Sequence, residues 1–361
     1  MIREGIQKII NHETLSFDES YLLMNEIMSG QSTPTLNSSF LTALSCRKNI
    51  PETPDEISGC ARAMRSQALE LHLCDGLLEI VGTGGDHKGT FNISTAAAII
   101  CAAAGAKVAK HGNRAATSNC GTADCLEALH VNINQSPGLC KKLIDECGIC
   151  FLFAQKYHSS MKHVASIRRE LGFRTIFNLL GPLTNPALPD YQLLGVYDFS
   201  LIEPMALALM KLGLKRGMVV CAQDGMDEIS LCSKTDACFF DHGELTHIVI
   251  DPANYGFEYC KESDLKGSTP QENAKTMIQI LNNEDSFLRD AAILNAGFAL
   301  FICNQAENPE KGIEIARKAI ESKAAINTLN QLIRLSNEKN GLENNDFEND
   351  DLQNEPSGRQ I

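Results

Sequence analysis

The stretch from Leu77 to Ser118, LLEIVGTGGDHKGTFNISTAAAIICAAAGAKVAKHGNRAATS, constrains the fold more than any other part of the chain. Leu77 to Val81 is a short apolar run that stops abruptly at Gly82-Thr83-Gly84-Gly85-Asp86, which predicts a buried strand entering a tight turn. The run Ala96 to Ala104 then predicts a small-residue helix with Gly105 as its stop. A helix entered from a glycine turn points its free N–H groups and the positive end of its dipole at that turn. The hydroxyls of Thr90, Ser94 and Thr95 fall at the same place, and together these features make a seat for phosphate. Lys107-Val108-Ala109 predicts a second short strand, with Lys110-His111-Gly112-Asn113-Arg114 in the loop at its end, so that two permanent cations face one mouth. Glycines in strand-to-helix turns also serve packing alone, and neither G-x-x-x-x-G-K-[ST] nor G-x-G-x-x-G is present. The pattern therefore implies a phosphate ligand other than those two fingerprints serve.

In their order and spacing GTGGD, NIST and KHGNR resemble the anthranilate phosphoribosyltransferase family. The segments FLFAQKYHSSMKHVASIRRELGFRTIFNLLGPLTNP (151–186) and GMDEISL (225–231) extend the likeness, which covers roughly residues 1–335. The resemblance implies transfer of a phosphoribosyl group from phosphoribosyl pyrophosphate (PRPP) to the amine of anthranilate, in tryptophan biosynthesis. It assigns PRPP contacts to Gly82, Gly85, Asp86, Thr90, Asn92, Ile93, Ser94 and Thr95 in the first half of the motif. In the second half it assigns them to Lys110, His111, Gly112, Asn113, Arg114, Ala115, Ala116, Thr117, Ser118 and Thr122. Anthranilate would meet Gly82, Asn113, His158 and Arg168, the guanidinium engaging its carboxylate as a planar bidentate donor. Mg²⁺, two ions per chain, would be held by Asp227, Glu228 and the Ser94 hydroxyl. Asp86 is acidic beside phosphates and is expected to act through a hydroxyl, water or the backbone. No general base is assigned, because departure of pyrophosphate needs charge neutralisation and a positioned amine more than a nucleophile.

The same residues admit duller readings. Adjacent carboxylates in a strand-end loop are commonly just solvated, an arginine on a helix is commonly a surface charge, and a histidine before a helix commonly caps or packs. Cys147-Gly148-Ile149-Cys150 has redox spacing but runs into an apolar strand and lacks a second pair for zinc, so it reads as structural. Cys120, Thr122, Ala115 and Ala116 depart from the commoner family wording, although Thr122 keeps a hydroxyl. Two alternatives compete with the transferase: a pyrimidine nucleoside phosphorylase-like enzyme, which would lack KHGNR and the Met226-Asp227-Glu228 run, and a non-catalytic homologue acting as a binding protein.

Composition narrows the class. A chain of 361 residues with 43% hydrophobic content is long enough for two cores. A net charge of −13 argues against a nucleic-acid partner, and it means that an anionic substrate must be held by local cations, amides or metal. Fourteen cysteines without a secretory signal predict reduced thiols and a cytoplasmic setting, and no run of 18 apolar residues exists to span a membrane.

Residues 1–72 predict a helical domain, completed by helices within about 160–190. Ser16 to Glu19 and Thr53 to Glu56 spell capping boxes, with Gly30 as a stop. The family likeness adds a homodimer contact through this domain. Residues 73–336 predict an α/β phosphoribosyltransferase domain with a mostly parallel sheet covered by helices on both faces: strands at 106–109, 149–153, 192–197 and 217–222, then a hairpin from Asp236 to Ile250. Helices Pro270 to Leu281, Ser286 to Cys303 and Pro309 to Ser322 follow. Residues 337–361 carry seven acids against Lys339 and Arg359 and are expected to be disordered.

Overall fold

The computed structural model describes residues 1–47, 51–115 and 119–338. Ala116, Thr117 and Ser118, and the acidic tail beyond Glu338, lie outside the described residues.

Four helices open the chain: α1 (Ile2–Ile10), α2 (Phe17–Met28), α3 (Pro34–Ser45) and α4 (Pro54–Ser66). Both expected capping boxes form, Ser16 with Glu19 and Thr53 with Glu56, and Pro54 occupies the first turn of α4 where its missing N–H costs nothing. Glu56 does more than cap. Its buried carboxylate takes both Arg47 amino groups, at 2.7 and 2.6 Å, and the amides of Leu15 and Thr53. Gly30 follows α2 with φ +74°, the left-handed turn expected of a stop.

The rest is built on one seven-stranded sheet, in the order β3-β2-β1-β4-β5-β6-β7. The strands are β1 (Leu77–Gly82), β2 (Lys107–Gly112), β3 (Ile149–Phe153), β4 (Tyr191–Gly195), β5 (Arg216–Ala222), β6 (Thr235–Asp241) and β7 (Glu244–Ile250). The first five are parallel, and β6 and β7 add an antiparallel edge as the hairpin pattern predicts. Helices between and after them are α5 (Ile93–Ala103), α6 (Thr122–Ala128), α7 (Pro137–Cys147), α8 (Ala154–Tyr157), α9 (Ala165–Leu171), α10 (Phe177–Leu180), α11 (Ile202–Lys211), α12 (Pro270–Leu281), α13 (Phe287–Ile302), α14 (Pro309–Glu321) and α15 (Ala324–Ser336). The last of these carries no clear start signal in sequence: it begins after Lys323 in the left-handed region (φ +64°) rather than at a side-chain cap.

Two differences from the sequence reading matter. β2 runs to Gly112, so Lys110, His111 and Gly112 are strand residues and not a loop; they pair with Phe151, Leu152 and Phe153 of β3, which extends the ladder beyond the apolar run. Among the helices expected within about 160–190, the stretch that carries Arg168 is broken at Val164 into a 3₁₀ turn (Ser159–His163) and α9.

The sheet separates two cores. On one face the alanines of α5 let it lie close to β1 and α13, where Ala96 to Cys101 are wholly buried. On the other face residues of α1 to α4 share a core with Val164, Ile167, Phe177 and Leu180, with α11, and with Leu194 and Val219. The chain steps from β1 outward to β2 and β3, then returns to the other side of β1 for β4 and β5. That reversal opens a crevice at the carboxyl ends of β1 and β4, the place where open α/β sheets hold ligands.

Candidate active site

Four strand ends meet at that crevice. β1 ends in Gly82, opposite Gly195 at the end of β4. Both positions must be glycine because Asp227, in the loop after β5, lies across them: a Cβ on Gly82 would come within 2.3 Å of Asp227 Oδ2, and one on Gly195 within 1.6 Å of its carbonyl oxygen. Gly84 and Gly85 then turn through φ +69° and +75°, and the Gly84 N–H donates to Asp227 Oδ2 at 2.6 Å. The glycine turn and the dicarboxylate are therefore in direct contact.

α5 begins at the same place. Ser94 donates its N–H to Glu228 Oε1 at 3.2 Å, and its hydroxyl accepts from Lys110 Nζ, also at 3.2 Å. Lys110 donates as well to the Ile80 carbonyl at 2.7 Å and is 2% exposed. Thr95 Oγ1 and Thr83 Oγ1 are buried without a hydrogen-bond partner among the described residues. Asn92 holds the helix entry, donating to the Cys120 carbonyl and accepting from Asn273. Thr90 makes a bridge with Lys266, and Phe91 donates to the Leu265 carbonyl, so the segment around 265 braces the turn. The Ile93 side chain is wholly buried, which leaves only its backbone for a ligand.

Charge is crowded here. Burial first, then neighbouring Asp86, pushes the Asp227 carboxyl up to about 7; burial and then Asp227 push Glu228 up to about 8. Burial pushes the Lys110 ammonium down to about 8, against the pull of Glu228 and Glu79. Asp86 accepts from Lys88 N at 3.1 Å, and its carboxyl lies against that of Asp227. Clustered hard oxygens with too little positive charge to balance them fit a magnesium ion, which takes one or two carboxylates and completes its shell with water and phosphate oxygens. Among the described residues no three His, Cys, Asp or Glu side chains enclose a metal by themselves.

At the end of β2 the two cations part company. Lys110 lies beneath the dicarboxylate, whereas the Arg114 guanidinium is paired with Asp124 and Glu127 of α6 and lies over the Phe153 ring. The expectation that both face one mouth is corrected for this conformation: strand alternation fixes Lys110, and the acids of α6 capture Arg114. Asn113 Oδ1 accepts from the Arg114 and Gln155 N–H groups, Ala115 N–H is held by Asp124, and Thr122 opens α6 beside Gly112.

His111 points to the opposite face of the sheet from Lys110 and meets His158, ring edge to face, at 5.2 Å. Among the described residues neither His158 ring nitrogen completes a hydrogen bond, nor does His111 Nε2. Burial pushes His111 down to about 3 and His158 to about 4, so both rings are neutral at ordinary pH. Arg168 is half-buried over the Phe177 ring at 5.2 Å, with Arg169 exposed beside it; burial lowers its pKa. Among the described residues Arg168 makes no hydrogen bond with the glycine turn, but Arg174, just beyond α9, donates to the Gly85 carbonyl at 2.5 Å and stacks on Tyr197 at 3.9 Å. Arg174 and Gly195 are the residues the sequence reading missed. A glycine ending the strand after NLLGPLTNP was a usable signal for the second; nothing local marks the first.

A helical bundle joined to an α/β domain, with a glycine turn, a helix N-terminus and a dicarboxylate at one crevice, defines a glycosyltransferase of two-domain build. Residues 3–68 match the glycosyl transferase family helical bundle domain and 75–326 the glycosyl transferase family a/b domain. Within that class the chain belongs to the anthranilate phosphoribosyltransferase family. It is 46% identical over 339 residues to the anthranilate phosphoribosyltransferase of Lacticaseibacillus paracasei, covering 94% of this chain and 98% of that one. It is 48% identical to that of Lachnoclostridium phytofermentans, covering 94% and 100%. The crystal structure of the Thermus thermophilus enzyme superposes with a TM-score of 0.86 at 41% identity, covering 92% of this chain and 99% of that one. The Saccharomyces cerevisiae enzyme in complex with PRPP and Mg gives 0.85 at 28% identity, covering 93% and 97%.

Proposed function

We propose that the crevice carries out the family's reaction: PRPP and anthranilate give N-(5′-phosphoribosyl)anthranilate and pyrophosphate. The bond from ribose C1 to the pyrophosphate oxygen breaks, a bond from C1 to the anthranilate nitrogen forms, and the amine proton leaves to solvent. The observation that carries this reading is the contact of the glycine turn with the dicarboxylate, Gly84 N–H to Asp227 Oδ2 at 2.6 Å.

In this reading Gly82, Gly85, Thr90, Asn92, the first turn of α5 and the end of β2 cradle PRPP. Backbone N–H groups at the α5 N-terminus stabilise charge on the departing pyrophosphate. Asp227, Glu228 and the Ser94 hydroxyl would hold Mg²⁺, which supplies positive charge to the leaving group when bound. Two ions per chain are proposed on the family likeness, each able to complete its shell with water and phosphate oxygens. Asp86 orients the turn through the Lys88 N–H rather than meeting phosphate directly. His111 and His158, both neutral, line the side where the aromatic ring of anthranilate would rest, and the Arg168 guanidinium would take its carboxylate.

Residues 1–72, completed by helices within 160–190, are proposed as one domain, because they share a core with Val164, Ile167 and Phe177. That domain is also the proposed homodimer contact, a reading supported by the exposed Ile10 and Leu22 on α1 and α2. No helix among the described residues is long and apolar enough to cross a membrane, and a cytoplasmic setting is proposed on the cysteine-rich composition, fourteen cysteines suiting a reducing compartment.

Loss of anthranilate fluorescence tests the reaction. Decay should require PRPP and Mg²⁺ together; no decay with both at millimolar level would overturn the proposal.

A further inference from the structure

Strands β1 and β2, neighbours in the sheet, pair only over their first residues: Leu77 opposite Lys107 and Leu78 opposite Val108. β1 stays joined to β4 as far as Gly82, and β2 to β3 as far as Gly112. From Glu79 onward β1 and β2 therefore fork, and backbone groups facing the gap are met by side chains. Glu79 Oε1 accepts the His111 N–H at 3.2 Å. Lys110 Nζ donates to the Ile80 carbonyl at 2.7 Å, and Asn185 Nδ2 to the Ala109 carbonyl at 2.8 Å. Backbone groups buried in a sheet must find partners, so the fork persists only with such substitutes. Its tines carry the glycine turn on one side and Gly112-Asn113 on the other.

Lys110 is already part of the site, but Glu79 is not. It is wholly buried in β1, where an apolar residue would ordinarily serve stability as well or better. Its second oxygen, Oε2, completes no hydrogen bond among the described residues, although Asn185 stands beside it. A carboxyl kept there at the cost of burial is doing something other than packing. We propose that Glu79 is a positioning residue for PRPP: by taking the place of the ladder bond to His111 it holds β1 and β2 apart and sets the width of the cleft between the glycine turn and Gly112-Asn113. It touches no substrate and needs no charge for this task, only an acceptor oxygen. The inference rests on the reading of the crevice as the PRPP site and deepens it.

The test compares three variants by steady-state kinetics and by PRPP calorimetry at saturating Mg²⁺. Glu79→Val supplies a strand-forming residue with no acceptor and lets the fork close. It should raise the KM for PRPP by roughly thirtyfold while kcat changes by less than about threefold, with the thermal midpoint within a few degrees of wild type. Glu79→Gln keeps an acceptor and should restore the PRPP KM to within about threefold of wild type. Glu79→Ala, which lacks an acceptor and adds no bulk, should behave as Glu79→Val and substitutes for it if that variant does not fold. Normal PRPP binding by a folded Val or Ala variant overturns the inference, as does a Gln variant as impaired as Val. A wild-type protein that binds no PRPP would instead sink the reading of the crevice itself.

Discussion

Arg168 forms no ion pair among the described residues and rests its guanidinium on the Phe177 ring, half withdrawn from water. Losing a charge-assisted pair to a carboxylate costs about 1.5–3 kcal/mol. Arg168→Ala should accordingly raise the KM for anthranilate by roughly ten- to a hundredfold and leave that for PRPP within about threefold. Equal changes in both constants would contradict its role. Gly195 is the second residue whose identity is dictated from outside its own strand. A methyl group there would lie 1.6 Å from the Asp227 carbonyl oxygen, so Gly195→Ala must displace the dicarboxylate loop. The expected result, read from Mg²⁺ titrations of activity and from urea unfolding, is a higher Mg²⁺ requirement together with about 1–3 kcal/mol of lost stability; an unchanged Mg²⁺ profile would contradict the geometry. Arg174 carries no local signal and Gly195 only that of a glycine ending a strand, and their partners, Gly85 and Asp227, are distant in sequence, so proximity gives both their role.

Among elements, those defined by local chemistry were legible and those defined by pairing were not. Capping at Ser16 and Thr53 follows from side chains within one turn, and both caps form. The end of β2 depends instead on β3, because Lys110 and His111 carry no strand signal but have Phe151 and Leu152 to pair with. α4 combines the two cases. Its box could be read from Thr53 and Glu56, whereas the bidentate Arg47 clamp on Glu56 arrives from outside the helix. Both side chains of that pair are fully enclosed, so removing one strands a buried charge. Arg47→Ala is expected to cost about 3–5 kcal/mol in urea unfolding, while Ser16→Ala, losing only an exposed cap, should cost about 1 kcal/mol. Similar losses for the two would argue against a buried clamp.

For the whole molecule, the interface between sheet and helical domain encloses two neutral histidines, and that sets a dependence on pH. His111 and His158 protonate only near about 3 and about 4 when folded, but near 6.5 when unfolded. Between pH 6.5 and 4 the unfolded chain therefore binds protons that the folded chain refuses, and the two rings subtract stability as pH falls, by at most about 1.4 kcal/mol per pH unit for each ring. The buried Asp227, Glu228 and Glu79 carboxyls, pushed up to about 7, 8 and 8, act in the opposite sense over the same window. Urea unfolding at pH 7, 6 and 5 should therefore show wild type losing stability relative to the double variant His111→Gln, His158→Gln as pH falls; parallel profiles would contradict it. The organisation of the molecule was legible because GTGGD, NIST and KHGNR fix strand ends and a helix start within forty residues. Their meeting with Asp227 and Glu228 depends on the strand order, which brings β5 beside β4 and β4 beside β1. The central claim is that these distant segments hold one metal-bound sugar diphosphate between them. Calorimetric titration of PRPP with and without Mg²⁺, for wild type and for Asp227→Asn, Glu228→Gln, tests it most directly. The account predicts that wild-type affinity falls by roughly thirtyfold or more without Mg²⁺ and that the double variant binds weakly whether or not Mg²⁺ is present; equal PRPP affinity in all four titrations would contradict it.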